Sequence, residues 1–150
     1  MTFRLSGDLP GLRLPAQMST AIGSELWRHT CFETFIAVEN EPAYHEFNFA
    51  PSGAWAAYEF RGYRDGRLIT NEKLSPAIRT CSTNRTFELH ASVRLDLISK
   101  AHATAPLNVG ISAVIESRDG FSYWALRHPR EKPDFHDRDG FALHLERPSV

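Results

Sequence analysis

The feature that most constrains the fold of this chain is an alternation of apolar and polar residues with a period of two. It is clearest over residues 26–38, where aromatic and β-branched side chains are separated by single polar residues. Successive side chains of a strand point to opposite faces of a sheet, so this pattern predicts strands with at least one buried face. Further strands are predicted over residues 43–50, 54–64, 67–71, 77–81, 86–94, 108–116, 121–127 and 140–146.

Turn-forming residues separate these segments. Residues 51–53 (Pro-Ser-Gly) end one strand, and Asp65-Gly66 predicts a two-residue hairpin turn, because both positions of a type I′ turn need positive φ. Residues 82–85 and 117–120 are typical of hairpin connections, and residues 95–103 predict one short helix. Many short strands joined by turns predict an antiparallel β-sandwich, immunoglobulin-like or jelly-roll-like. Residues 1–150 are expected to form one domain.

The composition indicates which classes of binding partner and which cellular compartment to expect. The chain has 17 Lys and Arg against 18 Asp and Glu, a net charge of -1, which disfavours nucleic acid and anionic membranes as partners. No apolar run reaches the ~20 residues of a transmembrane helix, and the N-terminus lacks a signal-peptide pattern. Cys31 and Cys81 are too few for a disulfide framework, so free thiols and a cytoplasmic location are expected.

Two predicted strands carry the residues with the most chemistry. If both alternate regularly, adjacent faces present Trp27, His29 and Glu33 on the first and Tyr44, Glu46 and Asn48 on the second. Rings of this kind cover the C–H face of a sugar, while carboxylate and amide groups bond its hydroxyls. The alternative is that the rings belong to the core and the glutamates pair with arginines.

Catalytic and metal interpretations use the same residues. A zinc site could draw on His29, Cys31, Glu33 and Glu46, although a structural hydrogen bond for His29 is the preferred interpretation. Glu33 and Glu46 could also form the carboxylate pair of a glycosidase, if they lie about 5–10 Å apart. The chain contains no GxSxG, Walker or GxGxxG motif, which favours a protein that is not an enzyme.

Near the C-terminus, residues 128–140 combine two prolines with several acidic and histidine residues, which predicts a shaped functional loop. Trp124 precedes it and His136 lies within it, so both are candidates for ligand contact. Around the predicted hairpin at 65–66, Arg61, Arg64 and Arg67 are interpreted as solvated charges that protect a sheet edge.

Three strings carry a resemblance to a known group: LWRHTCFETFI (26–36), YHEFNFAPSGAWAAYEF (44–60) and ALRHPREKPDFHDRDGFALHL (125–145). They resemble uncharacterised bacterial DOMON-like proteins, which are related to family 9 carbohydrate-binding modules. The resemblance implies an immunoglobulin-like sandwich whose relatives bind sugars or haem. Members of this group carry an additional strand before the segment that begins here at Phe3, so the resemblance implies that this chain lacks an N-terminal strand at one sheet edge. Haem-binding relatives use a methionine and a histidine, and the only internal methionine of this chain is Met18.

The resulting expectation is a non-catalytic module that binds a sugar or polyol on a concave sheet face, without a cofactor. Its alternatives are a haem-binding electron-transfer domain and an interaction module that dimerises through an edge strand. The expected ligand contacts are Trp27, His29, Glu33, Glu46, Asn48, Trp124 and His136.

Overall fold

The computed structural model describes residues 1–147, which contain ten β-strands and two short α-helices. The strands are β1 (Thr2–Ser6), β2 (Cys31–Val38), β3 (Tyr44–Phe49), β4 (Trp55–Gly62), β5 (Asp65–Ile69), β6 (Ala77–Ser82), β7 (Thr86–Ser92), β8 (Leu107–Ser117), β9 (Gly120–Ala125) and β10 (Leu143–Leu145). The helices are α1 (Leu95–Ile98) and α2 (Lys100–Thr104).

These strands form two sheets, which confirms the predicted all-β sandwich. The smaller sheet has the order β1-β7-β6, and the larger has the order β10-β8-β2-β3-β4-β5. β9 also belongs to the larger sheet and pairs with β8 beyond the end of β10. Every pair of neighbouring strands is antiparallel.

The main core lies between the sheets and follows from the period-two alternation. On β2, Phe32 and Ile36 point towards the smaller sheet, and both are nearly fully buried. The Phe32 ring lies 5.0 Å from that of Phe3 on β1 and stacks 5.9 Å from that of Phe87 on β7. These aromatic contacts join the two layers, and burial of such rings supplies much of the hydrophobic stabilisation of a domain.

The outer face of the larger sheet is covered too. A second apolar cluster forms there around Phe35, Tyr44 and Phe141, where Phe141 comes from the chain between β9 and β10. Gly110 on β8 permits this close approach, because a Cβ at that position would lie 2.9 Å from the Phe141 ring. β2 is therefore buried on both faces, as its burial pattern records.

Some predicted boundaries were wrong. The strand expected from residue 26 begins at Cys31, and a 3₁₀ turn occupies Leu26–Arg28, preceded by Glu25 in a left-handed conformation (φ 50°). The predicted Asp65-Gly66 turn is part of β5; the loop is Tyr63 and Arg64, with Arg64 at φ 56°. Glycine is needed at position 66 because a side chain there would overlap the Phe60 ring.

Other elements agree closely with the sequence. The connections predicted at residues 82–85 and 117–120 join β6 to β7 and β8 to β9. The predicted helix over 95–103 is present as two short helices, interrupted at Ser99. Cys31 is buried and Cys81 exposed, and both thiols are free. Among residues 1–147, no helix combines the length and apolar character that crossing a bilayer would take.

Candidate functional site

A cavity of about 480 Å³ opens on the outer face of the larger sheet. Its volume falls within the ~300–1,000 Å³ typical of small-molecule sites. Strands β2, β3, β4, β8 and β9 contribute to it, together with the 3₁₀ turn before β2 and the loop before β10. The lining residues are Trp27, Glu33, Glu46, Tyr58, Phe60, Arg64, Val114, Phe121, Tyr123, Pro133, Phe135 and His136.

Two carboxylates form the polar floor of this cavity. Glu33 on β2 lies opposite Asn48, and Glu46 on β3 lies opposite Phe35. This register makes the glutamates diagonal neighbours on one sheet face, where Cβ atoms lie ~7–8 Å apart or less. Their residues are only 3% and 4% exposed. The sheet therefore holds two ionisable groups side by side and almost out of contact with water.

Each carboxylate has one oxygen held by the protein and one directed elsewhere. Asn48 Nδ2 donates to Glu46 Oε1 (2.8 Å), and Ser112 Oγ donates to Glu33 Oε2 (3.3 Å). Within residues 1–147, no hydrogen bond reaches Glu33 Oε1 or Glu46 Oε2; the closest approach is His136 Nε2, 3.7 Å from Glu46 Oε2. Two acceptor oxygens thus remain for a ligand.

Burial controls the ionisation of both glutamates. Desolvation raises the pKa of Glu46 to about 7, opposed by the Asn48 hydrogen bond and the charge of Arg64. It also raises the pKa of Glu33 well above its usual value, and the nearby charge of Glu46 raises it further. A low-dielectric site disfavours the charged form, and a second carboxylate adds repulsion. Both glutamates therefore hold a proton to a higher pH than an exposed carboxyl group would.

A hydrogen-bond network connects the loop before β10 to the β4–β5 turn. The Tyr44 hydroxyl accepts the backbone N–H of Arg64 (3.2 Å) and pairs with His136 Nδ1 (2.8 Å). Asp134 accepts from Arg64 Nη2 (2.8 Å) and from the Tyr63 hydroxyl (2.6 Å). Burial and the Arg64 charge lower the pKa of His136 to about 4, so its imidazole is neutral at pH 7.

The walls of the cavity are mostly aromatic. Tyr58 and Phe60 stand on β4, Phe121 and Tyr123 on β9, and Phe135 on the loop before β10. Trp27 completes the rim from the 3₁₀ turn and is 45% exposed. The Tyr58 hydroxyl accepts the backbone N–H of Glu25 (3.4 Å), which ties this turn to the sheet.

The structure brings together four of the residues proposed as ligand contacts from the sequence: Trp27, Glu33, Glu46 and His136. A fifth, Asn48, is fully buried and supports Glu46 instead of lining the cavity.

Two proposed contacts lie elsewhere. His29 is not on a strand, and its imidazole bonds Glu116 Oε2 (2.8 Å), which confirms the structural hydrogen bond preferred for it. Trp124 is 64% exposed and does not line the cavity. It pairs with Ala113, whose side chain faces the main core, whereas its neighbour Tyr123 pairs with Val114 on the cavity side.

Some of the residues named for the metal and haem alternatives lie outside the cavity. No group of three or more His, Cys, Asp or Glu side chains in the described part of the chain is placed to hold a metal ion. His29, one of the four zinc candidates, is engaged with Glu116 outside the cavity. Met18, the methionine on which a haem interpretation depends, is 73% exposed and does not line the cavity.

Sequence reasoning missed several residues of the cavity. Arg64 was interpreted as a solvated edge charge, yet it lines the cavity and is anchored by Asp134. Arg61 and Arg67 do form exposed pairs, with Asp65 and Glu59. The alternation of β9 could have identified Phe121 and Tyr123, but only after the register of β9 on β8 was known.

This arrangement can bind a polar ligand that carries several hydrogen-bond donors and presents apolar surface to the rings. Comparisons with protein-family models, with curated proteins and with solved structures find no match for this chain.

Proposed function

We propose that this protein is a non-catalytic binding module and that its ligand is a carbohydrate or a related polyol. The observation that carries this proposal is the floor of the cavity. Two carboxylates, each at most 4% exposed, present one oxygen apiece without a hydrogen-bond partner among the described residues. The DOMON-like and carbohydrate-module resemblance is part of the same proposal.

The accessibility of the two free oxygens supports a binding role. Glu33 Oε1 and Glu46 Oε2 are not among the fully enclosed side-chain atoms that lack a partner, so a ligand in the cavity can reach them. Hydroxyl groups of a polyol would donate to both oxygens. The rings of Trp27 and Tyr123 would cover the C–H faces of the same ligand, as amphipathic aromatic side chains do.

We also propose a cytoplasmic location. The support for it is the state of the cysteines, since Cys31 and Cys81 are both free thiols and the exposed Cys81 would be open to oxidation outside a reducing compartment.

Titration calorimetry against a panel of mono- and disaccharides tests the function. We expect dissociation constants in the millimolar to micromolar range, which corresponds to ~4–8 kcal/mol. Trp27→Ala should weaken binding about tenfold, since stacking on one ring contributes ~1 kcal/mol or more. Trp124→Ala is the matched control, because it removes an exposed tryptophan outside the cavity.

Three outcomes are informative. Binding that weakens with Trp27→Ala but not with Trp124→Ala supports the proposal. Equal loss in both variants places the ligand away from the cavity and contradicts it. No heat with any sugar also contradicts it, and a concentration-dependent dimer in size-exclusion chromatography would then favour the interaction-module alternative.

A further inference from the structure

Among residues 1–147, no Lys or Arg side chain forms an ion pair with either carboxylate of the cavity floor. In the part of the chain that the structure describes, no Lys or Arg nitrogen lies within 4.0 Å of Glu33 or Glu46. Arg64 is the one Arg or Lys among the lining residues, and its Nη2 lies 2.8 Å from Asp134 Oδ1. The nearby His136 is only 3.7 Å from Glu46 but is held neutral by burial. The ionised forms of these two carboxylates are therefore not stabilised by a direct ion pair with a Lys or Arg of the described residues.

The walls of the cavity are suited to a positive charge. Aromatic rings attract cations through the negative potential over their faces, by ~0.5–2 kcal/mol per contact. Trp27 already demonstrates this, with the Arg28 guanidinium 5.1 Å from its ring centroid. Arg28 is itself paired with Glu25 at 3.0 Å and does not line the cavity. Rings around a pair of carboxylates form the type of site that recognises an ammonium group.

We infer that the ligand of this cavity carries a positively charged amino group, bound between Glu33 and Glu46 and enclosed by the aromatic walls. This inference rests on the proposed binding function and specifies its ligand class as amino sugars and related amino polyols. An ammonium group has donors for both free oxygens, Glu33 Oε1 and Glu46 Oε2. A neutral polyol also has donors, but it brings no positive charge that would stabilise the ionised carboxylates.

Charge compensation has a second consequence, which is release of protons on binding. The titratable and charged groups that face the two carboxylates are each other, Cys31, Tyr44, Tyr58, Arg64, Tyr123 and His136. A cation placed between the carboxylates favours their ionised forms. If Glu33 or Glu46 holds a proton before the amine binds, that proton is therefore released to the buffer on binding.

The test compares three probes that differ at one position of the sugar: glucose, N-acetylglucosamine and glucosamine. Calorimetry at pH 7 and low salt measures each against the full chain. We expect glucosamine to bind at least about tenfold more tightly than either neutral sugar, which corresponds to about 1.4 kcal/mol. Titrations of glucosamine in two buffers of different ionisation heat should report net proton release, whereas glucose should report none.

Substitutions of single glutamates test whether the preference for glucosamine arises at the cavity floor. Glu33→Gln and Glu46→Gln should each reduce the preference for glucosamine over glucose to threefold or less, because each removes a carboxylate that the ammonium group needs. Glu59→Gln is the matched control, since this residue stands on β4, pairs with Arg67 and does not line the cavity. The control should retain the full preference.

The outcomes separate this inference from the proposed function. If all three sugars bind equally well, the amine inference is overturned and the carbohydrate-binding function stands. If glucosamine is preferred but Glu33→Gln and Glu46→Gln retain the preference, the amine lies elsewhere and the inference is overturned. If no probe binds, the proposed function fails and the inference fails with it.

Discussion

At the scale of single residues, the notable feature is the pair of glutamates in a nearly water-free sheet face. Asn48 and Ser112 each satisfy one oxygen of one carboxylate, so part of the desolvation cost is offset within the fold. Asn48 donates its hydrogen bond to Glu46 through Nδ2, but its own Oδ1 is buried without a hydrogen-bond partner among the described residues. Such an unpaired buried group typically costs about 1–3 kcal/mol of stability.

The ionisation of Glu46 predicts how stability depends on pH. Its pKa rises from 4.5 in the unfolded chain to about 7 in the folded one. A raised carboxyl pKa contributes stability below pH 4.5 that is lost as the pH rises through 7. At 1.36 kcal/mol per pKa unit, the loss between pH 5 and pH 8 is up to about 3 kcal/mol. Glu46→Gln should therefore gain stability over the wild type at pH 8 relative to pH 5.

Urea denaturation of both proteins at the two pH values measures this difference. Glu41→Gln serves as the control, because it removes an exposed carboxylate on the β2–β3 turn. The control should show no comparable gain. If Glu46→Gln and the wild type lose stability in parallel from pH 5 to pH 8, the assignment of a raised pKa to Glu46 is wrong.

At the scale of elements, the cavity depends on how the chain between β9 and β10 lies on the larger sheet. The Phe141 ring packs 5.5 Å from Phe35 and 5.6 Å from Tyr44, and His136 is 5.2 Å from Phe35. Asp134 binds the β4–β5 turn through Arg64. The chain between β9 and β10 is thus held on the larger sheet by aromatic packing at Phe141 and by an ion pair at Asp134.

Gly110 is the position where this docking is most sensitive. A Cβ there would lie 2.9 Å from Phe141 Cδ1 and 3.4 Å from Phe35 Cβ, so Gly110→Ala must displace a buried ring. Overpacking of this kind typically costs about 1–3 kcal/mol. We expect that loss in the free energy of unfolding, together with faster proteolysis of residues 126–142 under native conditions.

The control for Gly110→Ala is Gly62→Ala, because a Cβ at position 62 would meet no atom within 4 Å. It should leave both measurements close to those of the wild type. Equal stability of the Gly110 and Gly62 variants would show that Phe141 does not require a glycine beneath it.

At the scale of the whole molecule, the two faces of the larger sheet lie in different environments. Its inner face packs on the three-stranded sheet through Phe32, Phe47 and Phe49, and its outer face carries the cavity and a separate aromatic cluster. The inner core supplies the rigidity, because its side chains interdigitate at crystal-like density. The outer face is then free to hold groups that a core would not tolerate.

Phe32 tests whether the two sheets unfold together. It is 1% exposed and contacts rings from both strands β1 and β7 of the smaller sheet. Phe32→Ala should reduce the free energy of unfolding by about 3–5 kcal/mol, and both sheets should be lost in one transition. Circular dichroism and intrinsic fluorescence, followed in parallel through urea denaturation, check both points.

Phe121→Ala is the appropriate comparison, because Phe121 is 50% exposed and its removal leaves no buried void. Phe121→Ala should reduce the free energy of unfolding by about 1 kcal/mol or less, which is well below the reduction expected for Phe32→Ala. Transitions at different urea concentrations for the two probes would contradict a cooperative sandwich.

The sequence by itself determined the fold class, the positions of most strands and the two carboxylates of the site. These are local properties. Alternation in β2 and β3 places Glu33 and Glu46 on the face opposite Phe32 and Phe47 whatever their neighbours are, because the side-chain period of a strand is two.

Only the tertiary structure decided which other side chains reach those carboxylates. Trp27 arrives from a 3₁₀ turn, Arg64 from a turn two residues earlier than predicted, and His136 from a loop 92 residues beyond Tyr44 in the chain. Tyr123 faces the cavity and Trp124 does not, because the pairing of β9 with β8 sets their faces. Register and loop docking depend on contacts between distant segments, and no periodic pattern within one segment encodes them.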